Sequence, residues 1–263
     1  MSSLKNDRES ADLARATAED LLNAAEQAVA NGATVPTERA RVFGPIYSWW
    51  RLTCRTAEAV LLLTEKGFTV EIAPLVRNIL NHAYAINWLA DNGDAAVDAL
   101  VARGDDEREK LCKKLEETGW AAASEFRAEL DRVAAQQPTV TRTPAEEALH
   151  TKLKHELKNF YDMLDRYDVA DIYPVYSHLS GLSHTTINTA SAYVEQLDDG
   201  TLQIRLDAVE LGHADVIQLA IALVQSATVV SPLIEGDPLR PAIDKAIADL
   251  GLEDVQLLPV RVK

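Results

Sequence analysis

The segment VEIAPLVRNILNHAYAINWLADNG, residues 70–93, decides the fold class of this chain. With about 100° of rotation per residue, its apolar side chains form one helical stripe that comprises Ile72, Val76, Ile79, Ala83, Ile86 and Ala90. The opposite side is polar at one end and aromatic at the other, and it carries Arg77, Asn81, Tyr84 and Trp88. We therefore predict a core helix that is contacted on both sides, with Arg77 at least partly buried.

Most of the remaining sequence also has helical periodicity. Helices are predicted over residues 8–31, 36–67, 94–136, 174–196, from Thr143 onward, and in two segments after the hairpin. Gly44-Pro45 should kink or divide the second helix, because proline removes an intrahelical hydrogen bond. Apolar alternation around Asp199-Gly200 instead predicts a β-hairpin near residues 193–206.

The fold class that follows is all-α, a multi-helix bundle with one small β-hairpin. We expect a single domain overall. Its parts are an N-terminal helix in residues 1–35, a helical core in residues 36–196, and the hairpin with the C-terminal helices in residues 197–263.

Composition narrows the function classes. The net charge of −15 and the pI near 4.8 predict a soluble surface that generally repels nucleic acid and anionic membranes, although it permits a small basic site. Cys54 and Cys112 lack CxxC spacing, so we expect reduced thiols and no zinc site. No signal peptide and no run long enough to span a bilayer is evident, so we expect a cytoplasmic protein without membrane association or cofactor.

Two polar motifs interrupt the apolar helices. In RNILNH, residues 77–82, Arg77 and His82 project about 140° apart on one helix, so they can converge only across a seam filled by another helix or a second subunit. In YPVYSHLSGLSH, residues 173–184, the spacing of four predicts that Tyr176, Ser180 and His184 share one helix face.

The arginine-to-histidine spacing resembles the R-x4-H signature of the HEPN superfamily, helical proteins of which many are metal-independent RNA endonucleases in toxin–antitoxin and phage-defence systems. That resemblance implies a homodimer with one composite site. It also implies that Arg77 stabilises the phosphate, that His82 assists proton transfer at the ribose 2′-hydroxyl, and that Asn78 orients the substrate or the histidine. Tyr176, Ser180 and His184 would supply a further hydrogen-bonding wall.

The wider pattern over roughly residues 45–195 also resembles an uncharacterised bacterial family of all-helical proteins, a domain-of-unknown-function family. In that family the arginine is followed four residues later by glutamate, whereas Asn81 stands here.

The partners that the HEPN resemblance implies are RNA, a second copy of the chain, and an antitoxin or other protein. Arg51, Arg55 and Trp50 are candidate RNA-binding residues, because arginine with aromatic rings suits single-stranded RNA.

Structural interpretations stay open for the same residues. Arg77 and His82 also fit a buried polar network in a non-catalytic helical interaction or scaffold protein, and Trp50 fits a core anchor. Two E-x-x-H pairs, Glu147-His150 and Glu210-His213, have the spacing of di-iron bundles. A buried stripe of Leu149, Leu153, Leu157 and Phe160 would direct Glu147 into solvent, which argues against a metal site.

Overall fold

The computed structural model describes residues 4–136, 141–208 and 213–253. Helices account for most of these residues, and the strands are β1 (Val194–Gln196) and β2 (Leu202–Ile204). The strands pair antiparallel, with Glu195 opposite Gln203. The predicted all-α class with a small hairpin is confirmed.

Most helices begin and end close to the predicted positions. The helix predicted over residues 174–196 is wrong at its end, because it stops at Ser183 and a short helix and β1 follow. In chain order the helices are α1 (Arg8–Ala30), α2 (Ala40–Glu65), α3 (Ala73–Glu117), α4 (Ala123–Gln136), α5 (Pro144–Lys158), α6 (Phe160–Asp165), α7 (Tyr173–Ser183), α8 (Ile187–Ala190), α9 (Ala214–Val230) and α10 (Arg240–Asp249). Short 3₁₀ helices precede α2, α3 and α7 and follow α9; they span Thr37–Arg39, Val70–Ile72, Ala170–Ile172 and Ser231–Leu233.

Tertiary contacts divide the chain into two compact units. The first consists of the residues up to Asp91 together with those from Met163 onward, and the second is Asn92–Asp162. Gly93 has φ 55° and ψ −136°, a conformation that glycine adopts readily, and it interrupts α3 where the helix was predicted to end. The boundaries between the two units differ from the predicted boundaries at residues 35 and 196. The organisation as a single domain overall stays a prediction.

The core of the first unit is built around α9, which packs against α1, α2 and α10. An almost uniformly apolar sequence explains this central position, because a helix that is apolar on all sides must be covered on all sides. Ala214–Leu233 is long and apolar enough to cross a membrane, but 78% of its most apolar window is buried inside the protein. It therefore behaves as the core helix of a soluble protein, while a cytoplasmic location stays a prediction.

Gly44-Pro45 was predicted to kink or divide the second helix, and the structure shows that it does not divide it. Helix α2 continues through Pro45, which lies early in the helix, and Ile46 and Trp50 immediately beyond it are buried. Packing of this face against the core outweighs the hydrogen bond that proline removes.

The second unit contains α4, α5 and the part of α3 that follows Gly93. Thr143 and Glu146 form the predicted capping box at the start of α5. The predicted buried stripe of α5 is wrong in one respect, since Leu149 is 43% exposed and His150 is 8% exposed. Glu147 does point into solvent as predicted, and Glu210 lies outside the described residues.

Candidate functional site

Arg77 lies in the second turn of α3 and reaches across to α7. Its Nη2 donates a hydrogen bond of 2.6 Å to the hydroxyl of Tyr176, and its Cζ lies 4.6 Å from the centre of the same ring. The guanidinium is half-buried, as the helical wheel of α3 predicted. A cation in this position joins α3 to α7 through a neutral phenol.

The charge of Arg77 is not neutralised by a neighbour in the described part of the chain. Its Nε is buried and has no hydrogen-bond partner, and no described carboxylate pairs with the guanidinium. Tyr176 contributes an oxygen acceptor and a ring face, both of which are neutral. Half-buried cations ordinarily pair with anions, and among the described residues Arg77 has none.

Two tyrosines of α7 extend the site toward solvent. The rings of Tyr173 and Tyr176 are stacked, with centres 6.0 Å apart and planes inclined by 28°. The two residues are three positions apart in the first turns of α7, a spacing that places their side chains on one side of the helix. Tyr173 is 36% exposed, so the outer part of the stack reaches the surface.

His82 has a different set of neighbours. Its Nδ1 donates a 2.8 Å hydrogen bond to the backbone carbonyl of Asn78, and its ring lies 6.2 Å from that of Trp49 in α2. Because the acceptor is a carbonyl oxygen, Nδ1 carries the proton and Nε2 is the basic nitrogen. Burial lowers the pKa of His82, so the ring is neutral at neutral pH.

Arg77 and His82 are therefore directed to different elements within one protomer. Arg77 contacts α7, whereas His82 contacts α2, in agreement with the expected angle of about 140° between them. The side chain of Asn78 is exposed and that of Asn81 is half-buried. One protomer therefore holds the guanidinium on one side of α3 and the imidazole on another.

The predicted row of Tyr176, Ser180 and His184 does not exist as one helix face. Helix α7 ends at Ser183, and His184 is exposed with an extended backbone, φ −124° and ψ 170°. Ser180 remains in the helix and is half-buried. Tyr176 is thus the member of the predicted row that reaches the Arg77 site, and His184 does not continue its helix face.

The predicted RNA-binding face of α2 is also corrected. Trp50 is 3% exposed, so it is a core anchor and cannot stack on a base in this conformation. Arg51 lies 3.4 Å from Glu26, and Arg55 lies 2.6 Å from Glu58. Both arginines already have acidic neighbours, which offset their positive charge.

Sequence reasoning missed the stacking of Tyr173 on Tyr176 and a further hydrogen bond near the site. The hydroxyl of Tyr193 hydrogen-bonds to Glu71, which precedes α3. Burial raises the pKa of Tyr84 to about 12, and the negative charge of Asp171 adds to this effect. An aromatic pair three residues apart at a helix start was the available signal for Tyr173, but nothing in the sequence showed that Arg77 would meet it.

No group of three or more histidine, cysteine or acidic side chains within the described ranges could hold a metal ion. Cys54 and Cys112 are free and buried. Burial raises the pKa of Cys54 to about 12, so the thiol is protonated and unreactive.

The family model of a family of unknown function, DUF5677, matches residues 43–201. This chain belongs to DUF5677. The expected likeness to a domain-of-unknown-function family over roughly residues 45–195 agrees with that match. Comparisons with curated proteins and with solved structures find no match.

The DUF5677 segment contains the whole candidate site. It begins in α2 just before Pro45 and continues through α3 and α7 to the β-hairpin, whereas α1, α9 and α10 lie outside it. Arg77, His82, Tyr173 and Tyr176 all belong to the matched segment. The helices outside the match complete the core of the first unit.

Proposed function

We propose that this DUF5677 protein is a HEPN-like, metal-independent RNA endonuclease in which Arg77 binds the phosphate and His82 transfers a proton. One observation carries the proposal: Arg77 is a half-buried cation with a buried, unpartnered Nε and no described acidic partner. A phosphodiester group supplies the charge and the oxygen acceptors that the guanidinium lacks. The R-x4-H spacing of Arg77 and His82 supports the same assignment.

The reaction needs only groups that this chain contains. His82 Nε2 removes the proton from a ribose 2′-hydroxyl, and the resulting oxygen attacks the adjacent phosphorus. The bond from phosphorus to the 5′-oxygen breaks, that oxygen takes up a proton, and the products are a 2′,3′-cyclic phosphate and a 5′-hydroxyl. Arg77 stabilises the added negative charge on the non-bridging oxygens. Because its pKa is lowered, His82 is already in the basic form at neutral pH.

In this proposal two copies of the chain complete the site. Arg77 and His82 face α7 and α2 respectively, so the histidine that acts on a phosphate bound at Arg77 comes from the second protomer. The HEPN resemblance supports such a composite arrangement. The protein would act in bacterial defence or stress, with an antitoxin or another partner protein restraining its activity.

A second candidate is a non-catalytic helical scaffold. The observation that favours it is that Arg77 and His82 both make structural bonds: one ties α3 to α7, and the other closes onto the backbone of its own helix. Under that alternative both side chains contribute to stability and neither contributes to chemistry.

Cleavage of total bacterial RNA and labelled tRNA in the presence of EDTA distinguishes the two candidates. We expect fragments with cyclic phosphate ends from the wild type, and a rate about 10²–10⁴-fold lower from His82→Ala, the usual contribution of a general base. His155→Ala is the matched control, because His155 is exposed, lies in the second unit and should leave cleavage unchanged. Absence of cleavage by folded, dimeric wild type would contradict the nuclease proposal and would leave the non-catalytic scaffold as the remaining candidate.

The melting temperature of each variant completes the test. If His82→Ala keeps the wild-type melting temperature and loses cleavage, the histidine acts in the reaction. If His82→Ala lowers the melting temperature and the wild type has no activity, His82 is a structural residue.

A further inference from the structure

The side chains of Arg77, Tyr176 and Tyr173 form a continuous stack from the interior to the surface. The Arg77 guanidinium lies 4.6 Å from the centre of the Tyr176 ring, and that ring is stacked on Tyr173 at 6.0 Å. A cation lies at the inner end and an exposed aromatic ring at the outer end. Anion recognition and stacking are therefore available within one short distance on the surface of α7.

We infer that Tyr173 is a nucleobase-stacking residue and that the site selects unpaired RNA, with a phosphate at Arg77 and a neighbouring base on Tyr173. This inference deepens the proposed function and rests on it. A nucleotide carries both a phosphate and an aromatic base, so one ligand class satisfies both ends of the stack. Bases inside a duplex are already stacked on each other and cannot reach an aromatic side chain.

The charge around the stack favours a short contact with one or two phosphates. The 3₁₀ helices Val70–Ile72 and Ala170–Ile172 both pack against α7, and they carry Glu71 and Asp171. These carboxylates, in a chain with a net charge of −15, repel the closely spaced phosphates of a duplex. A flexible single strand can place one phosphate at Arg77 and direct the others away from the acidic groups.

Tyr176 links the two ends of the site. Its hydroxyl oxygen accepts the bond from Arg77, and its ring supports Tyr173. The hydrogen bond from Arg77 Nη2 goes to Tyr176, so replacement of Tyr173 removes the outer ring of the stack and leaves that bond in place.

Binding of three fluorescent probes to the full-length protein tests the inference by anisotropy. The probes are an eight-nucleotide oligoadenylate, the same backbone with abasic positions, and an eight-base-pair RNA duplex. For the wild type we expect affinity to fall about 5- to 150-fold from the oligoadenylate to the abasic probe, the effect of one stacked base. The duplex should bind at least as weakly as the abasic probe.

Tyr173→Leu should reduce oligoadenylate affinity by a similar factor and leave abasic affinity unchanged, while Tyr173→Phe should restore the wild-type value. Equal binding of normal and abasic probes by the wild type would overturn the stacking role while the phosphate site stood. If Tyr173→Leu does not fold, the comparison of probes on the wild type decides the question alone. Absence of binding to any single-stranded probe would overturn both the inference and the proposed function.

Discussion

Replacing Arg77 with methionine separates a ligand-binding cation from a structural one. Methionine keeps a long, flexible apolar stem but has no charge. Loss of the bond to Tyr176 costs about 1.5–3 kcal/mol, and loss of the contact with its ring costs about 0.5–1 kcal/mol. Removing the buried, unpartnered Nε and the partly desolvated charge offsets about 1–3 kcal/mol of that loss.

The midpoints of these opposing effects differ by about 1 kcal/mol, so the free energy of unfolding should fall by about that amount. Affinity for single-stranded RNA should fall at least about tenfold, because the phosphate loses its cationic partner. Urea unfolding followed by tryptophan fluorescence measures the first quantity. Trp50 and Trp88 are buried in the first unit and therefore report its unfolding.

Arg51→Met is the matched control for this substitution. Arg51 pairs with Glu26 and Glu58 at the surface of the same unit, and such pairs contribute about 0–1 kcal/mol. It should change neither stability nor RNA binding appreciably. If Arg77→Met instead destabilises the protein by more than about 3 kcal/mol, the arginine is the centre of a buried charge network, and the anion-site reasoning is refuted.

Burial of three titratable side chains has further measurable consequences. Because burial lowers the pKa of His82, protonation of the ring favours the unfolded chain. The contribution of His82 to stability is therefore complete above an ordinary histidine pKa and is lost as pH falls below it. In His82→Gln the urea midpoint should change less between about pH 7 and pH 5 than it does in the wild type. Since the pKa of Tyr84 is raised to about 12, stability should fall as pH rises from about 10 toward 12, and Tyr84→Phe should reduce that loss, as followed by circular dichroism. The Cys54 thiol, whose pKa is also about 12, should react with a disulfide reagent only after urea unfolds the first unit, as counted by absorbance.

The fold class was predictable because it depends on patterns that are local in sequence. The apolar stripe of α3, the capping box at Thr143 and the alternation around Asp199-Gly200 each specify one element through its own periodicity or turn chemistry. The continuity of α2 through Pro45 was not predictable, for the opposite reason. Whether a helix tolerates a proline depends on tertiary packing of its buried face, which the local pattern does not contain.

The burial of Arg77 was predictable from the sequence, whereas the side chains that it contacts were not. A guanidinium on a helix that is contacted on both sides is at least partly buried, so the burial of Arg77 followed from the sequence. The identity of the group that Arg77 contacts depended on the packing of α3 against α7, since Tyr176 lies 99 positions further along the chain. The row through His184 failed because α7 ends one residue earlier, a boundary that helical spacing alone did not fix.

The acidity of the chain and the isolation of Arg77 support each other in the proposed function. Arg51 and Arg55 lie beside carboxylates, whereas Arg77 has none in the described structure. A net charge of −15 excludes long-range attraction of RNA, so affinity must come from close contacts at a local site. Such a site needs a cation protected from neutralisation and a neutral surface that holds the ligand beside it. The guanidinium of Arg77 and the rings of Tyr176 and Tyr173 provide those two features.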